Sequence, residues 1–381
     1  MTRDVGSSGE PARDAVPRRP DKAPTIIDVA RRANASKSTV SNVLQGKIYV
    51  REQTRARVLQ AMAELGYRPN VAARNLRQRP RVLGVLVGDL RNPFHAEIAA
   101  LIEQQATAAQ HTILLATTGG QATQESERVE ALIEHRVAAV LFVAFSGDRA
   151  VLRSIPEDVP RVFVSFRGRG GTSISVDEAR GARLAVEHLV SLGHERIAYV
   201  STTLGHEQQT DKARYAGYLS TLETHGIDVG AVPSLRLEGQ ADASTDTVLA
   251  ALTQFLHAEP RPTAVFAASD FTAIEVIEAA DLVGLKVPAD LSVVGFDDIA
   301  ISRLSRISLT TIAQPMGELA ARAVQRALAP PTARGAKNVL LAPRLVVRDS
   351  TARGVATGER TAPVARRMRQ ANGPLPIPSS S

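Results

Sequence analysis

The chain has 381 residues, an apolar fraction of 44% and a net charge of +7, a length that fits about two or three domains with ample material for buried cores. It contains no cysteine, which excludes disulfides, thiolate nucleophiles and thiolate metal sites. No run approaches the ~18 consecutive apolar residues of a membrane helix. The charge is unevenly spread: residues 25–80 hold 11 basic and 3 acidic side chains, net +8, whereas residues 81–350 hold 25 basic and 31 acidic, net −6. A basic head on an acidic body points to a polyanion as the partner of the head.

Residues 1–24 are rich in Gly, Pro, Ser and Arg and lack apolar periodicity, so disorder is predicted there. Without an apolar run no secretory signal peptide is expected. Helical signals begin at Thr25, which can cap a helix whose apolar face is Ile26, Val29, Ala30 and Ala33. Asn34-Ala35-Ser36 has turn chemistry, with Ser36 placed to cap a second helix. In that helix Val40, Val43 and Leu44 share the inner face, and Lys37, Ser38, Ser41, Asn42 and Gln45 fall outside. Two short helices with small polar side chains on the second predict a helix-turn-helix, which lays its second helix in the major groove of DNA. A third helix from about Arg51 to Leu65 should bury Val58, Leu59, Met62 and Leu65 and stop at Gly66. Beyond Pro69, Asn70 can cap a helix of two turns reaching Arg77, too short to be stable in isolation.

At Val82 the period changes. Val82–Val87 is a nearly continuous apolar run, as expected of a parallel strand covered on both faces. Further strands are predicted at Thr112–Ala116, Ala138–Ala144, Arg161–Ser165, Ile197–Ser201, Ala264–Ala268 and Leu291–Phe296. Between them lie helical patterns at Ala96–Gln110, Glu125–His135, Ala179–Leu192, Arg214–His225 and Thr272–Val283. This βαβ alternation predicts a doubly wound α/β body. Its length suffices for two lobes with a ligand cleft between them. After Ser350 the chain turns to Gly, Pro, Ser, Thr and Arg, with a basic knot at Arg366-Arg367-Met368-Arg369, and a disordered tail is predicted.

Enzyme chemistry finds no support in the motifs. The histidines form no His-Glu-x-x-His or paired spacing, and Gly-x-Ser-x-Gly and a Walker phosphate loop are absent. Arg167-Gly168-Arg169-Gly170-Gly171 is basic but lacks the strand–turn–helix context of a dinucleotide loop. No cofactor or metal is therefore expected. A free periplasmic-type solute-binding protein would share the body but would not carry a basic head.

In the head, Ile27-Asp28-Val29-Ala30, Val40-Ser41, Thr54-Arg55, Ala63-Glu64-Leu65-Gly66-Tyr67, Pro69-Asn70 and Ala73-Arg74-Asn75-Leu76 stand in the order and spacing of one family. The chain closely resembles the lactose-repressor/galactose-repressor family of bacterial transcription regulators. The body continues the likeness through Asp89-Leu90-Arg91-Asn92-Pro93-Phe94, Arg214-Tyr215-Ala216-Gly217-Tyr218, Gly295-Phe296-Asp297-Asp298 and Leu345-Val346-Val347-Arg348. Together the matches cover about Thr25 to Thr351.

The resemblance implies a small all-α helix-turn-helix head on a two-lobed α/β body of periplasmic-binding-protein type with parallel doubly wound sheets. It also implies a cytoplasmic, nucleoid-associated homodimer. Such a dimer would repress transcription at a near-palindromic double-stranded DNA operator under control of a small polar effector, with no membrane partner. The implied domains are 25–69 for DNA binding, 70–81 for a hinge helix and linker, and 82–350 for effector binding and dimerisation. Within the last, the N-lobe is expected at about 82–192 and 313–338 and the C-lobe at about 193–312 and 339–350, leaving 351–381 as tail.

Residue by residue, DNA contacts are implied for Ile26, Ile27, Ser36, Lys37, Ser38, Ser41, Asn42, Gln45, Tyr49, Arg51 and Thr54. Asn70, Ala73 and Leu76 match the hinge helix, whose leucine wedges into the minor groove. Effector contacts are implied for Asp89, Asn92, Phe94, His95, Arg214, Ser269, Asp270, Phe271, Asp297 and Gln314. For two of these another role is equally open: Asp270 could cap the helix after it, and Gln314 could be a crossover-strand residue. The sequence departs from the family at Asp177-Glu178, where Asp-Asn is usual, at Phe166, where an acidic residue is common, and at Pro315 after Gln314.

Overall fold

A computed structural model of the chain describes residues 24–44, 47, 49–67, 80–202, 208–231, 234–237, 244–330 and 338–354. They belong to two units, one ending at Arg79 and one beginning at Pro80. The sequence expectations for residues 1–23, for the hinge helix with Asn70, Ala73 and Leu76, for Gln45 and for the tail beyond Gly354 lie outside the described residues.

In the head, α1 (Ile26–Arg32), α2 (Lys37–Leu44) and α3 (Glu52–Leu65) follow the helical spacing of the sequence. Thr25 and Asp28 form a reciprocal cap at the start of α1: the Thr25 hydroxyl accepts from the Asp28 N–H, and the Asp28 carboxylate accepts from the Thr25 N–H at 2.8 Å. Asn34 turns the chain with φ of 47°, a left-handed conformation that asparagine tolerates. Gly66 closes α3 at φ of 61°, where a Cβ would be strained. Val29, Ala30, Ala33, Val40, Val43, Val58 and Ala61 make the core.

One expected core residue is not in it. Leu59 is 52% exposed, because Val58, Ala61, Met62 and Leu65 occupy the inward face and the next residue after Val58 is rotated by about 100°.

The body holds two six-stranded sheets. In the N-lobe the strands are β1 (Val82–Val87), β2 (Thr112–Thr117), β3 (Val140–Val143), β4 (Arg161–Ser165), β5 (Thr172–Val176) and β11 (Val339–Leu341). Their order is β11-β5-β4-β3-β1-β2, with all pairings parallel. The helices α4 (Pro93–Ala108), α5 (Glu125–Glu134) and α6 (Arg149–Ser154) connect them.

In the C-lobe the strands are β6 (Ile197–Ser201), β7 (Leu235–Arg236), β8 (Ala264–Ala267), β9 (Ser292–Asp297), β10 (Thr310–Ala313) and β12 (Arg344–Val346). They run β12-β10-β9-β8-β6-β7, and only β12 pairs antiparallel. Its helices are α7 (Glu178–Ser191), α8 (Gln208–Thr224), α9 (Thr245–His257) and α10 (Asp270–Leu282), and α11 (Met316–Ala327) follows β10. Inner strands such as β3 and β9 are buried throughout. Edge strand β2 has no fully buried residue, although Ile113 packs on one face of the sheet and Leu114 and Ala116 on the other; inner strands covered on both faces read as unbroken apolar runs.

The lobe boundaries need correction. Helix α7 was expected in the N-lobe, yet its Ala182, Ala185, Val186 and Leu189 enter the C-lobe core with Tyr199, Phe266 and Phe296. Strand β11 was expected in the C-lobe but pairs with β5 of the N-lobe sheet. Helix α11 buries Met316, Leu319, Ala320, Ala323 and Val324 in the N-lobe core. The chain thus changes lobe after Val176, after Ala313 and between Leu341 and Arg344. Hydrophobic periodicity reports that a segment is covered, not which sheet covers it. Among the described residues no helix is long and apolar enough to cross a membrane.

Candidate functional site

Two sites follow from these elements, one in each unit. In the head, α2 buries Val40 and Val43 and turns Lys37 and Ser38 to solvent, with Ser41 and Asn42 half-buried beside them. Tyr49 is 71% exposed and Ile27 53%. Arg51 is exposed and Thr54 half-buried, whereas Ile26 packs on the head core. A ridge of hydroxyl, amide and ammonium groups with no acidic side chain in its first turn suits base edges and phosphates.

Ser36 serves the helix itself. Its Oγ accepts from the Thr39 N–H at 3.0 Å and lies 2.7 Å from the Ser38 hydroxyl. Ser36→Ala is expected to cost the head about 1 kcal/mol of stability, the usual worth of such a cap. The check is the thermal midpoint of the head; weaker DNA binding at unchanged stability would instead make Ser36 a direct contact.

In the body, a cleft of about 450 Å³, its open mouth included, lies at the carboxyl ends of the strands. Asn92, Phe94, Val143, Ala144, Val164, Ser165 and Phe166 line it from the N-lobe, and Gln209, Thr210, Arg214 and Asp297 from the C-lobe. This is the crevice position of an open doubly wound sheet. Three of its non-glycine residues sit at or just past a strand end with positive φ: Ala144 at 148°, Ser165 at 73° and Asp297 at 129°. Such conformations cost of order 1–3 kcal/mol each and gather at ligand sites.

Arg214, on α8, is the centre of the cleft's polar wall. Its Nε donates to Glu178 at 2.7 Å, Nη1 donates to the Ala268 carbonyl, and Nη2 lies 3.8 Å from Asp297. The guanidinium carbon is 3.7 Å from the centre of the Phe296 ring. Burial opposes its charge, but the Glu178 and Asp297 carboxylates outweigh burial and hold it protonated above the usual arginine range. Gln314 donates from Nε2 to Asp297 at 2.7 Å and accepts from the Ser165 hydroxyl at 2.9 Å, so it ties the two lobes' cleft residues together.

The comparisons with known proteins agree with both units. A model described as bacterial regulatory proteins, lacI family, matches residues 25–70, and one described as periplasmic binding protein-like domain matches residues 186–351. Catabolite control protein A of Priestia megaterium is 33% identical over 305 residues, 79% of this chain and 90% of that protein. The ribose operon repressor of Haemophilus influenzae is 33% identical over 309 residues, 80% and 91% of the two chains. The crystal structure of the Lac repressor dimer bound to operator and the anti-inducer ONPF superposes with a TM-score of 0.72 at 30% identity. It covers 87% of this chain and 100% of that one.

The chain belongs to the lacI family of bacterial regulatory proteins. As a lacI-family member it is a DNA-binding transcriptional regulator and not an enzyme.

Of the effector residues expected from sequence, Asn92, Phe94, Arg214 and Asp297 line the cleft of this lacI-family body. Asn92 also caps α4, its side chain accepting from the Phe94 N–H at 3.1 Å. The other six lie outside the lining. Asp89 closes on Arg91 at 2.8 Å; burial works to raise its pKa, but the Arg91 bonds win and lower it. His95 is buried with Nδ1 2.8 Å from the Asp89 carbonyl. Ser269 caps α10 by accepting from the Thr272 N–H at 3.1 Å.

Asp270 does not cap that helix. It accepts from the Ile299 N–H at 2.9 Å and from the Thr311 hydroxyl, and burial pushes its pKa up to about 6. Phe271 is half-buried beside it. Gln314 acts one residue away, through Asp297 and Ser165.

Sequence reasoning missed Val143, Ala144, Val164, Ser165, Gln209 and Thr210 as lining, and took Glu178 and Phe166 only as departures. A usable signal existed for the first four and for Phe166: they end or follow strands β3 and β4, where such sheets bind ligands.

Proposed function

We propose that this regulator is an effector-gated repressor that acts as a homodimer on a near-palindromic operator in the cytoplasm, on the nucleoid. The observation that carries the reading is the joining, in one chain, of an outward polar recognition helix and a two-lobed body with a polar cleft around Arg214. In the Lac repressor structure a dimer holds operator and an anti-inducer together, which supports the same pairing of functions here. Lys37, Ser38, Ser41, Asn42 and Gln45 read base edges and nearby phosphates. Ser36 starts the recognition helix with its cap. Tyr49, Arg51 and Thr54 hold the phosphate backbone with Ile26 and Ile27 as further DNA contacts, and the charges of Lys37 and Arg51 make affinity salt-dependent.

Residues 25–69 form the DNA-binding head and 70–81 the hinge, where Asn70, Ala73 and Leu76 enter the minor groove. A wedged leucine kinks DNA at a cost of a few kcal/mol that wider contact offsets. Residues 82–350 bind a small polar effector and form the dimer. Effector bound between the lobes shifts the equilibrium between two arrangements of the body by its differential affinity for them, and with it the stability of the hinge helices on DNA.

Leu76→Ala is expected to weaken operator binding by roughly 10–100-fold and to reduce DNA bending. A gel-shift series with circularly permuted operator fragments reads both quantities. Unchanged affinity and bending would remove the hinge from the mechanism.

A further inference from the structure

Glu178 adds a buried negative charge to the polar wall around Arg214. Glu178 is the first residue of α7, where the helix N-terminus favours a carboxylate. It takes the Nε–H of Arg214 at 2.7 Å, and both side chains are at least nine-tenths buried. Asp297 lies 3.8 Å from Nη2 of the same guanidinium, equally buried.

Among the described residues that line the cleft, only Arg214 and Asp297 are charged. With Glu178 the cluster therefore holds one cation and two carboxylates, a sum of −1. Other charged side chains of neighbouring segments pair with one another outside the lining: Asp89 with Arg91, Asp211 with Arg236, and Asp298 with Arg303 and Arg348.

An arginine recognises a carboxylate or phosphate through its fork of parallel N–H groups. Here Nε is engaged by Glu178 and Nη1 by the Ala268 carbonyl, so an incoming anion meets a matched cation with a second carboxylate beside it. The rest of the polar lining is neutral: Ser165, Thr210 and the amides of Asn92 and Gln209. Hydroxyls and amides that donate and accept suit ligand hydroxyls, which do the same. The Asp297 carboxylate already accepts from Gln314 at 2.7 Å; a carboxylate can accept again from a ligand hydroxyl, whereas an ionised phosphate brings only like charge to it.

We propose that Glu178 sets the charge selectivity of this cleft: by matching Arg214 beside Asp297, it excludes carboxylate- and phosphate-bearing effectors and admits an uncharged, hydroxyl-rich one. The inference rests on the reading of the cleft as the effector site.

The test uses the full chain and matched probes: D-ribose with ribose 5-phosphate, D-glucose with glucose 6-phosphate, and adenosine with adenosine monophosphate. Thermal shift finds the binding pair and calorimetry measures the ratio, since a ligand of the native state raises its apparent stability. In the wild type the neutral member should bind on the order of 100-fold more tightly than its phosphorylated partner, as like-charge juxtaposition demands. Glu178→Gln should reduce that ratio about ten-fold or more, while Glu178→Asp, which keeps the charge, should retain it.

A phosphorylated member that binds the wild type as tightly as its neutral partner overturns the proposal, whether or not the variants fold. So does a ratio that is the same in Glu178→Gln, or one lost equally in Glu178→Asp, which would make the role one of packing. Silence of every pair in a chain that still binds operator overturns the cleft reading itself.

Discussion

Arg214→Ala is expected to lose effector response and to destabilise the body by about 3–5 kcal/mol, the range for removing one partner of a buried ion pair. The cost arises because Glu178 and Asp297 stay buried, 2.7 Å and 3.8 Å from a cation that is gone. The Ala268 carbonyl and the Phe296 ring lose their partner as well. Urea unfolding of the body measures the first effect, and operator release over an effector titration measures the second. The head is a separate unit with its own core, so unliganded operator binding should survive at temperatures where the variant body is folded. An unfolding midpoint equal to that of the wild type would mean that the two carboxylates do not depend on this arginine. A normal response at normal effector concentration would place the effector elsewhere.

Gly217→Val is the second large effect, expected at about 3 kcal/mol, the upper end for overpacking a tight contact. Gly217 lies in α8 where that helix meets α7. A Cβ built there stands 2.7 Å from the Ala179 carbonyl oxygen and 2.9 Å from the Ala182 methyl. A backbone oxygen in a helix cannot step aside, so α8 must move away. Arg214 is three residues earlier and shares that helix face, so the same movement should lengthen its contact with Glu178 and weaken effector binding. Unfolding of the body and an effector titration on the surviving fold are the measurements. A variant with both quantities unchanged would show that the two helices are further apart than 2.7 Å implies.

The pattern of these effects follows what was legible along the chain. The three head helices, the cap at Thr25, the stop at Gly66 and the strands with unbroken apolar runs are local: spacing, capping chemistry and φ preference act over a few neighbours. The basic head on an acidic body is legible for the same reason, since charge needs only counting. Leu59 was misread because its neighbour Val58 has the same apolar character, and only the packed bundle shows that Val58 is the one turned inward.

In the cleft, Arg214 and Asp297 stood out as charges in a family motif. Ser165, Ala144 and Val164 did not, because small and apolar side chains acquire a role only from the strand end that presents them. Asp270 and Ser269 were recognisable as polar residues at a helix start, but which caps and which supports the neighbouring loop depends on Ile299 and Thr311, distant in sequence.

Sequence alone therefore determined the two faces of α2, from the polar set Lys37, Ser38, Ser41 and Asn42 to its inward partners Val40 and Val43. It determined as well that an α/β body follows. The tertiary structure alone decided which lobe owns α7 and β11, and that Glu178 and Arg214, 36 residues apart, form one buried pair. The physical reason is range. Hydrogen-bonded helices and apolar periods are written between neighbours in the chain, whereas burial and ion pairing depend on which distant segment arrives opposite.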